Sequence, residues 1–328
     1  MPRSNIQLGG QELKLDADAD TSITVDTDDQ IDIKIAGSDK LVISSTSHLS
    51  TTTAGTSNFV LGVNAGNSIA SGGNYNVALG DEAGTAITTG DRNIAIGFEA
   101  GKAISTGGEN VAIGYQALAT EDGHGLNIAI GSEALENLNA GADAYNVAVG
   151  HAAGKNVTTG IHNTLIGGNA GDALTVGTRN VALGYSALTT DTQGSGSIAI
   201  GRFALNTQNF SSATTTYNIG IGYDAGKSIT TGERNTLVGG LAGDALTDAD
   251  RNIAIGHGAL SDDTQGSRST AIGYQALSTQ NLTSATDTHN TAVGYQAGLA
   301  ITDGTNNTIF GAEAGITITS AASNTLIG

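Results

Sequence analysis

The sequence predicts an all-β fold: a parallel β-solenoid of about sixteen 17-residue coils. Three observations predict it. A five-residue motif, Asn or Ser, three apolar or small residues, then Gly, recurs sixteen times between Asn58 and Gly328, as in NVALG at Asn76 and NIAIG at Asn93. Eleven of the fifteen intervals between motif starts are 17 residues, and the others are 18, 19, 21 and 21. The 328 residues include 48 Gly, one Pro, no Cys and 4% aromatics, too little large apolar side chain for one globular core. Stacked coils need less, because each buries a few aliphatics against its neighbours.

Residues 1–57 lie outside the repeat. Ile31, Ile33 and Ile35 alternate with Asp32 and Lys34, and Leu41 to Ile43 form another apolar run, so a short β-rich module is expected to cap the first coil or attach the chain to another protein. Asp16, Asp18 and Asp20 have the spacing of a calcium loop. Thr21 stands where such a loop needs Gly, and Thr27 where it needs a bidentate Glu, so alternating Asp on a solvated strand is the simpler reading.

Residues 58–328 form the repeat domain. Counting the motif Asn as coil position 0, Gly at position 4 and Ala at position 7 occur in all fifteen complete coils. Positions 1 and 3 are mostly aliphatic or Thr and position 2 is usually Ala, the period-2 pattern of a strand, with Val77 and Leu79 on one face and Ala78 on the other. The Gly of position 4 (Gly80, Gly97, Gly114, Gly131) marks a corner of positive φ or close backbone approach. A second short strand is expected from Ala83 to about Thr88. Asn76, Asn93, Asn110 and Asn127 are expected to form a column of amides bonding to the coils above and below. A helical solenoid fits worse: Gly and β-branched residues recur in every unit and no 3.6-residue apolar pattern survives.

Two coil types alternate. Nine coils have Gly at position 8 and an aliphatic at position 11, as Gly84 with Ile87 or Gly101 with Ile104. Six have Leu at position 8 (Leu118, Leu135, Leu188, Leu205, Leu260, Leu277), and five of these carry a polar residue at position 11: Glu121, Asp191, Gln208, Asp263 and Gln280. This reads as one large aliphatic per coil, supplied from either of two positions. From Leu118 onward the types alternate in pairs, giving a super-repeat of 70 to 72 residues.

The 21-residue coils add four residues at the same place, in LNTQNFSSATTTYN from Leu205 and LSTQNLTSATDTHN from Leu277. Phe210 and Leu282 take matching tip positions there and are candidate partner contacts. Aromatics follow the corner Gly in runs: Phe98 and Tyr115; Tyr185, Phe203 and Tyr223; Tyr274 and Tyr295. These rings either pack on one another or bind sugars, and Tyr185, Phe203 and Tyr223 are carried as contact candidates. The repeat breaks off one strand into a new coil at Asn324 to Gly328, an open edge expected to meet another domain, a subunit or another copy of the chain.

A formal charge of −18, with 13 scattered Lys and Arg, argues against nucleic acid as a partner. No apolar run has the length of a signal peptide or a membrane span, so no membrane insertion is expected. The six His show no metal-ligand spacing, there is no Cys nucleophile or G-x-S-x-G elbow, and carboxylates such as Glu121-Asp122 and Asp262-Asp263 read as solvated turns. No catalytic residue, metal or cofactor is therefore expected. A glycan-cleaving carboxylate pair assembled between coils is the reading in which the chain would be an enzyme, a polysaccharide depolymerase.

The units NVALG, NIAIG, NVAIG and NVAVG, each followed by a turn, resemble the head repeats of YadA-like trimeric adhesins across 58–328. That resemblance implies a left-handed β-roll and a homotrimer, with the small column Ala78, Ala95, Ala112 and Ala129 allowing close sheet contact. The coils here are longer than that family's usual unit, and no signal peptide, coiled-coil stalk or membrane anchor accompanies them. Together with the preceding Asp-rich segment LDADADTSITVDTDDQIDIKIAG, the repeats also resemble tail-fibre or structural proteins of bacteriophages. The expectation is a virion fibre, extracellular once assembled. Residues 1–57 or the open end would join other virion proteins, the roll would be a rigid spacer, and loops or a distal tip would contact a cell-surface glycan or receptor. The alternative is a bacterial surface adhesin or a filament grown by end-to-end stacking.

Overall fold

The computed structural model describes 53–328 without interruption. Before that it describes five short strands: Leu13–Lys14, Ser22–Val25, Ile31–Ile35, Ser38–Ile43 and Leu49–Ser50. These five pair in sequence order as an antiparallel meander, with a register shift between Ile33 and Lys34. Asp16, Asp18, Asp20, Thr21 and Thr27 lie outside the described residues.

The repeat builds an all-β parallel solenoid, with no helix among the described residues. Sixteen three-residue strands, from Phe59–Leu61 to Thr325–Ile327, stack in sequence order into one parallel sheet. Each residue pairs with its counterpart one coil on: Val77 with Ile94, Ala78 with Ala95, Leu79 with Ile96. At about 4.8 Å per coil the sheet runs roughly 75 Å.

The expected second strand is not formed. Positions 6 and 8 of a coil hold left-handed residues, such as Glu82 (φ 56°) and Gly84 (φ 55°), and an extended ladder cannot pass through them. The second arm is a stack of turns that still bonds from coil to coil, with Gly84 N donating to Ala100 O at 2.9 Å and Thr88 N to Ser105 O at 2.9 Å. The corner Gly is required by both conformation and space. Gly97 has φ 127°, and a Cβ on it would stand 2.6 Å from the carbonyl oxygen of Gly114.

The strand faces are reversed from the arrangement that close sheet contact through Ala would need. Ala78, Ala95, Ala112 and Ala129 are fully buried inside the coil, against Ala83 and its equivalents at position 7. Leu165 and Leu237 take the same inward position, also fully buried, and the side chains at positions 1 and 3, on the alternate face of the strand, point outward. The Ala column cannot meet another chain.

The two coil types fill that interior as volume exchange. A Cβ on Gly84 would stand 2.7 Å from Ile87 Cδ1: the position-11 aliphatic already occupies the space that a position-8 side chain would take. In the other type Leu118 occupies it, fully buried and in the left-handed region at φ 52°. A left-handed Leu costs on the order of 1–2 kcal/mol, against about 1.5–3 kcal/mol contributed by burying it.

The ladder Asn closes each coil and joins it to the next. Asn93 is fully buried. Its Nδ2 donates to Gly107 O at 2.8 Å within its own coil, and its Oδ1 accepts the backbone N–H of Asn110 at 3.0 Å. Asn76, Asn110 and Asn127 repeat the link to the next coil: Asn93 N, Asn127 N and Asn146 N donate to their Oδ1 atoms at 2.8, 3.1 and 3.2 Å. The bonding is thus mainly side chain to backbone rather than amide to amide, because the backbone N–H of the next Asn reaches Oδ1 directly. Asn93→Ala would strip a partner from two buried backbone groups and is expected to destabilise the roll by about 2–5 kcal/mol. Thermal or urea denaturation followed by circular dichroism measures it, and an unchanged transition would contradict the ladder's role.

Candidate interaction surface

Positions 1 and 3 put two columns of aliphatic and Thr side chains on the outer face of the sheet, half-buried or exposed along its whole length. Ile94 and Ile96, Ile128 and Ile130, Ile198 and Ile200, and Ile253 and Ile255 belong to them. Two further outward columns flank these, position 5 after the corner Gly and the residue just before the ladder Asn. The two aliphatic columns span about 10 Å, so the apolar face covers on the order of 750 Å² over the roll. Apolar patches on monomeric proteins reach roughly 300–600 Å².

The position-5 column carries six of the aromatics, and Tyr75, Tyr145 and Tyr217 stand in the column before the ladder Asn. Phe98 and Tyr115 stack with centroids 5.7 Å apart and planes 12° from parallel, and Tyr274 stacks on both His257 (5.6 Å) and Tyr295 (5.4 Å). The stacked ring faces are spent on one another within the column. Tyr185 and Tyr223 are exposed; Phe203 lies 5.7 Å from Tyr185 and half-buried beneath Arg202, whose guanidinium sits 4.1 Å from the Phe203 ring. Arg202 Nη1 also donates to the Tyr223 hydroxyl at 2.8 Å. The structure therefore brings Tyr185, Phe203 and Tyr223 into one cluster held by an Arg.

Phe210 and Leu282 are not exposed tips. Only 6% and 7% of their surfaces are accessible, because each turns back onto the buried network beneath the insertion. The exposed residues of the bulges are 211–213 and 283–285. The bulge closes by adding a short parallel pair, Gly194–Ser195 with Thr214–Thr215, and Gly266–Ser267 with Thr286–Asp287.

The polar residues at position 11 are also inside. Glu121, Asp191, Gln208, Asp263 and Gln280 are fully buried, so Glu121 and Asp263 are not solvated turn residues as Asp122 and Asp262 are. Asp191 Oδ1 accepts N–H bonds from Gly194 (2.9 Å) and Phe210 (3.3 Å), and its Oδ2 accepts from Gln208 Nε2. Gln208 Nε2 also donates to Ser197 Oγ at 2.8 Å, while its Oε1 accepts from Asn218 Nδ2 at 2.9 Å. Asp263, Gln280, Ser269 and Asn290 repeat the arrangement. A signal for this network stands in the sequence: Ser197 and Ser269 are the two motif starts that are not Asn, and each opens a 21-residue coil with Gln at position 11.

Glu121 is paired differently. Its carboxylate accepts the backbone N–H of His124 and of Ala140, each at 3.2 Å, and lies 3.5 Å from His124 Nδ1. Glu121, Asp122 and His124 place one donor atom each within 4.8 Å of one another, a set that could hold a cation as countercharge to the buried Glu. Spacing gives no sign of this set, since His124 takes the place of a turn Gly.

Five of the nine basic residues in 58–328 share one column. Arg92, Arg179, Arg234, Arg251 and Arg268 all immediately precede a motif start, forming part of one column beside the sheet. Four are neutralised locally, with Arg92–Glu109 at 3.1 Å, Arg234–Glu233 at 3.0 Å, Arg251–Asp250 at 3.5 Å and Arg268–Asp287 at 2.6 Å. Such pairing leaves little free positive charge for phosphates.

No helix among the described residues is long and apolar enough to cross a membrane. Comparison with protein-family models, with curated proteins and with solved structures finds no match.

Burial pushes the Asp191 and Asp263 carboxyls above the ordinary Asp value, and their hydrogen bonds from Gln208 or Gln280 and from backbone N–H groups pull them only partly back. The native state then holds these protons at a pH where the unfolded chain has released them. Their contribution is most favourable below the ordinary Asp value and declines as the pH rises to the raised one. Carboxyl-carbon NMR titration should show both groups protonating above the ordinary value, and a midpoint at or below it would contradict the burial.

Proposed function

We propose that the chain is a rigid structural fibre that assembles through its aliphatic sheet face into a homotrimer, and that it serves a virion as a spacer and attachment rod. The observation that carries the reading is the continuous outward face of positions 1 and 3. Its interior counterpart at position 2 is mostly Ala, so most of the larger apolar side chains of the strands sit where solvent would otherwise meet them. An area on the order of 750 Å² per chain is close to the roughly 800 Å² per partner of a standard stable interface. A second copy presents the same periodic columns at the same spacing, which a partner of unrelated fold would not. The number three comes from the resemblance to trimeric adhesin heads. Carboxylates of the turns surround the other faces, and a net charge of −18 keeps finished rods apart.

Glu121, Asp191 and Asp263 are the buried carboxylates that a hydrolytic reading would look to, and all three are closed off from solvent. This favours the fibre over the depolymerase.

Light scattering or sedimentation of the purified chain is expected to give three times the 32.6 kDa chain mass. Replacing Ile198, Ile219 and Ile253 by Lys, all outward-facing, is expected to give a folded species of one chain mass. A monomeric wild-type protein would overturn the trimer.

A further inference from the structure

The column that precedes the ladder Asn contains one missing side chain. It runs Tyr145, His162, Arg179, Gly196, Tyr217, Arg234, Arg251, Arg268 along the corner. Conformation does not demand the Gly: Gly196 has φ 73°, but Arg179, Tyr217 and Arg268 hold the same left-handed backbone at 57°, 52° and 64°. Space does not demand it either, since a Cβ there would meet nothing closer than Thr215 Cγ2 at 3.6 Å and the Tyr217 ring at 3.8 Å.

The gap opens a niche of about 260 Å³ walled by Thr178, Arg179, Ser195, Thr215 and Tyr217, with Gly196 as its floor. None of these comes from the two aliphatic columns, so the niche opens on the turn side of the corner. The super-repeat supplies an internal control. Seventy-two residues on, Arg268 stands at the place of Gly196 and Asp287 at the place of Thr215, and the two close the position with an ion pair of 2.6 Å.

The groups around the niche have spare capacity. Arg179 makes no ion pair or side-chain hydrogen bond among the described residues, whereas the other four Arg of its column each have a carboxylate partner. The hydroxyls of Thr215 and Tyr217 have no hydrogen-bond partner among the described residues either. Ser195 Oγ accepts the Thr178 N–H at 3.0 Å, which leaves its own proton to donate. Tyr217 is exposed, with its ring lying over Gly196.

We propose that this niche is a subsite for an acidic saccharide, holding one hexuronic acid unit. A guanidinium matches a carboxylate with two parallel hydrogen bonds, an aromatic ring covers the apolar face of a sugar, and clustered hydroxyls suit its ring hydroxyls. A bare anion would leave the Tyr and the hydroxyl wall unused; a neutral sugar would leave Arg179 unpaired. One shallow site binds weakly, and repetition in an oligomer raises avidity. The assignment adds a ligand class to the attachment role and rests on that role for its biological meaning only. Binding by a single chain is measured independently of trimer formation, so either reading can fail while the other stands.

The test is titration of the full-length protein, by NMR or calorimetry, with methyl glucuronide, methyl glucoside and inorganic phosphate in separate arms. The glucuronide is expected to bind at millimolar concentration, and the glucoside and phosphate at least about ten-fold more weakly, the loss expected without the charge-assisted pair or the ring contact. Arg179→Gln is expected to bring the glucuronide down to the glucoside level. The double substitution Gly196→Arg with Thr215→Asp copies the closed arrangement of Arg268 and Asp287 on a backbone that already accepts Arg, and is expected to abolish binding while leaving the unfolding transition in place. No binding of the glucuronide, equal binding of the glucoside or of phosphate, or undiminished binding by the double variant overturns the proposal.

Discussion

The interaction on which the rest of this structure depends is the double use of one buried amide per coil. A parallel solenoid leaves backbone groups inside its corners that the sheet ladder does not reach, and each would be costly unpaired. The Asn side chain is short, stays in register with the strand, and carries a donor and an acceptor, so it satisfies a turn carbonyl of its own coil and an N–H of the next. The two Ser coils link to the next coil differently. Where Ser197 and Ser269 take the ladder position, Gln208 and Gln280 enter from position 11, donating to the Ser hydroxyl and accepting from the side-chain amide of the following Asn. In both cases the coil that makes this exchange is the one with four extra residues.

A narrow coil closed in this way constrains what else it holds. Its interior takes Ala at position 7, mostly Ala at position 2, and one or two large aliphatics, as Leu165 with Leu174 or Leu135 with Leu138. The exchange between Gly84 with Ile87 and Leu118 with Glu121 is the consequence: one space, two sources. The branched side chains of positions 1 and 3 stand on the outer face, the one through which association is proposed. The same three-residue strand thus has two roles to offer, Ala78 in the interior and Val77 and Leu79 outside.

Much of this was legible in the repeat. The Asn and Gly period, the strand at positions 1 to 3 and the exchange of volume between positions 8 and 11 are local regularities, and a regularity repeated fifteen times exposes the demand behind it. Other features were hidden because they depend on direction. A period-2 pattern separates two faces but does not say which is inside, and the usual association of larger with buried misleads where the inward position is mostly Ala and the outward ones mostly aliphatic or Thr. Phe210, Leu282, Glu121 and Asp263 were misplaced for a related reason: a turn sequence reads as solvated unless the bend that folds it back is known. Arg179, Gly196 and Tyr217 lie 17 and 21 residues apart and become neighbours only through stacking.

By itself, then, the sequence determined that this chain is a β-solenoid, how many coils it has, and which coils depart from the rule, because stacking multiplies each local requirement into a visible period. Only the tertiary structure decided which face of the strand is buried, which polar residues are sealed within, and where a missing side chain leaves a niche between Arg179 and Tyr217. Those are matters of direction and adjacency across coils, set by the width of the closed coil and by the left-handed residues that turn it, and spacing along the chain does not record them.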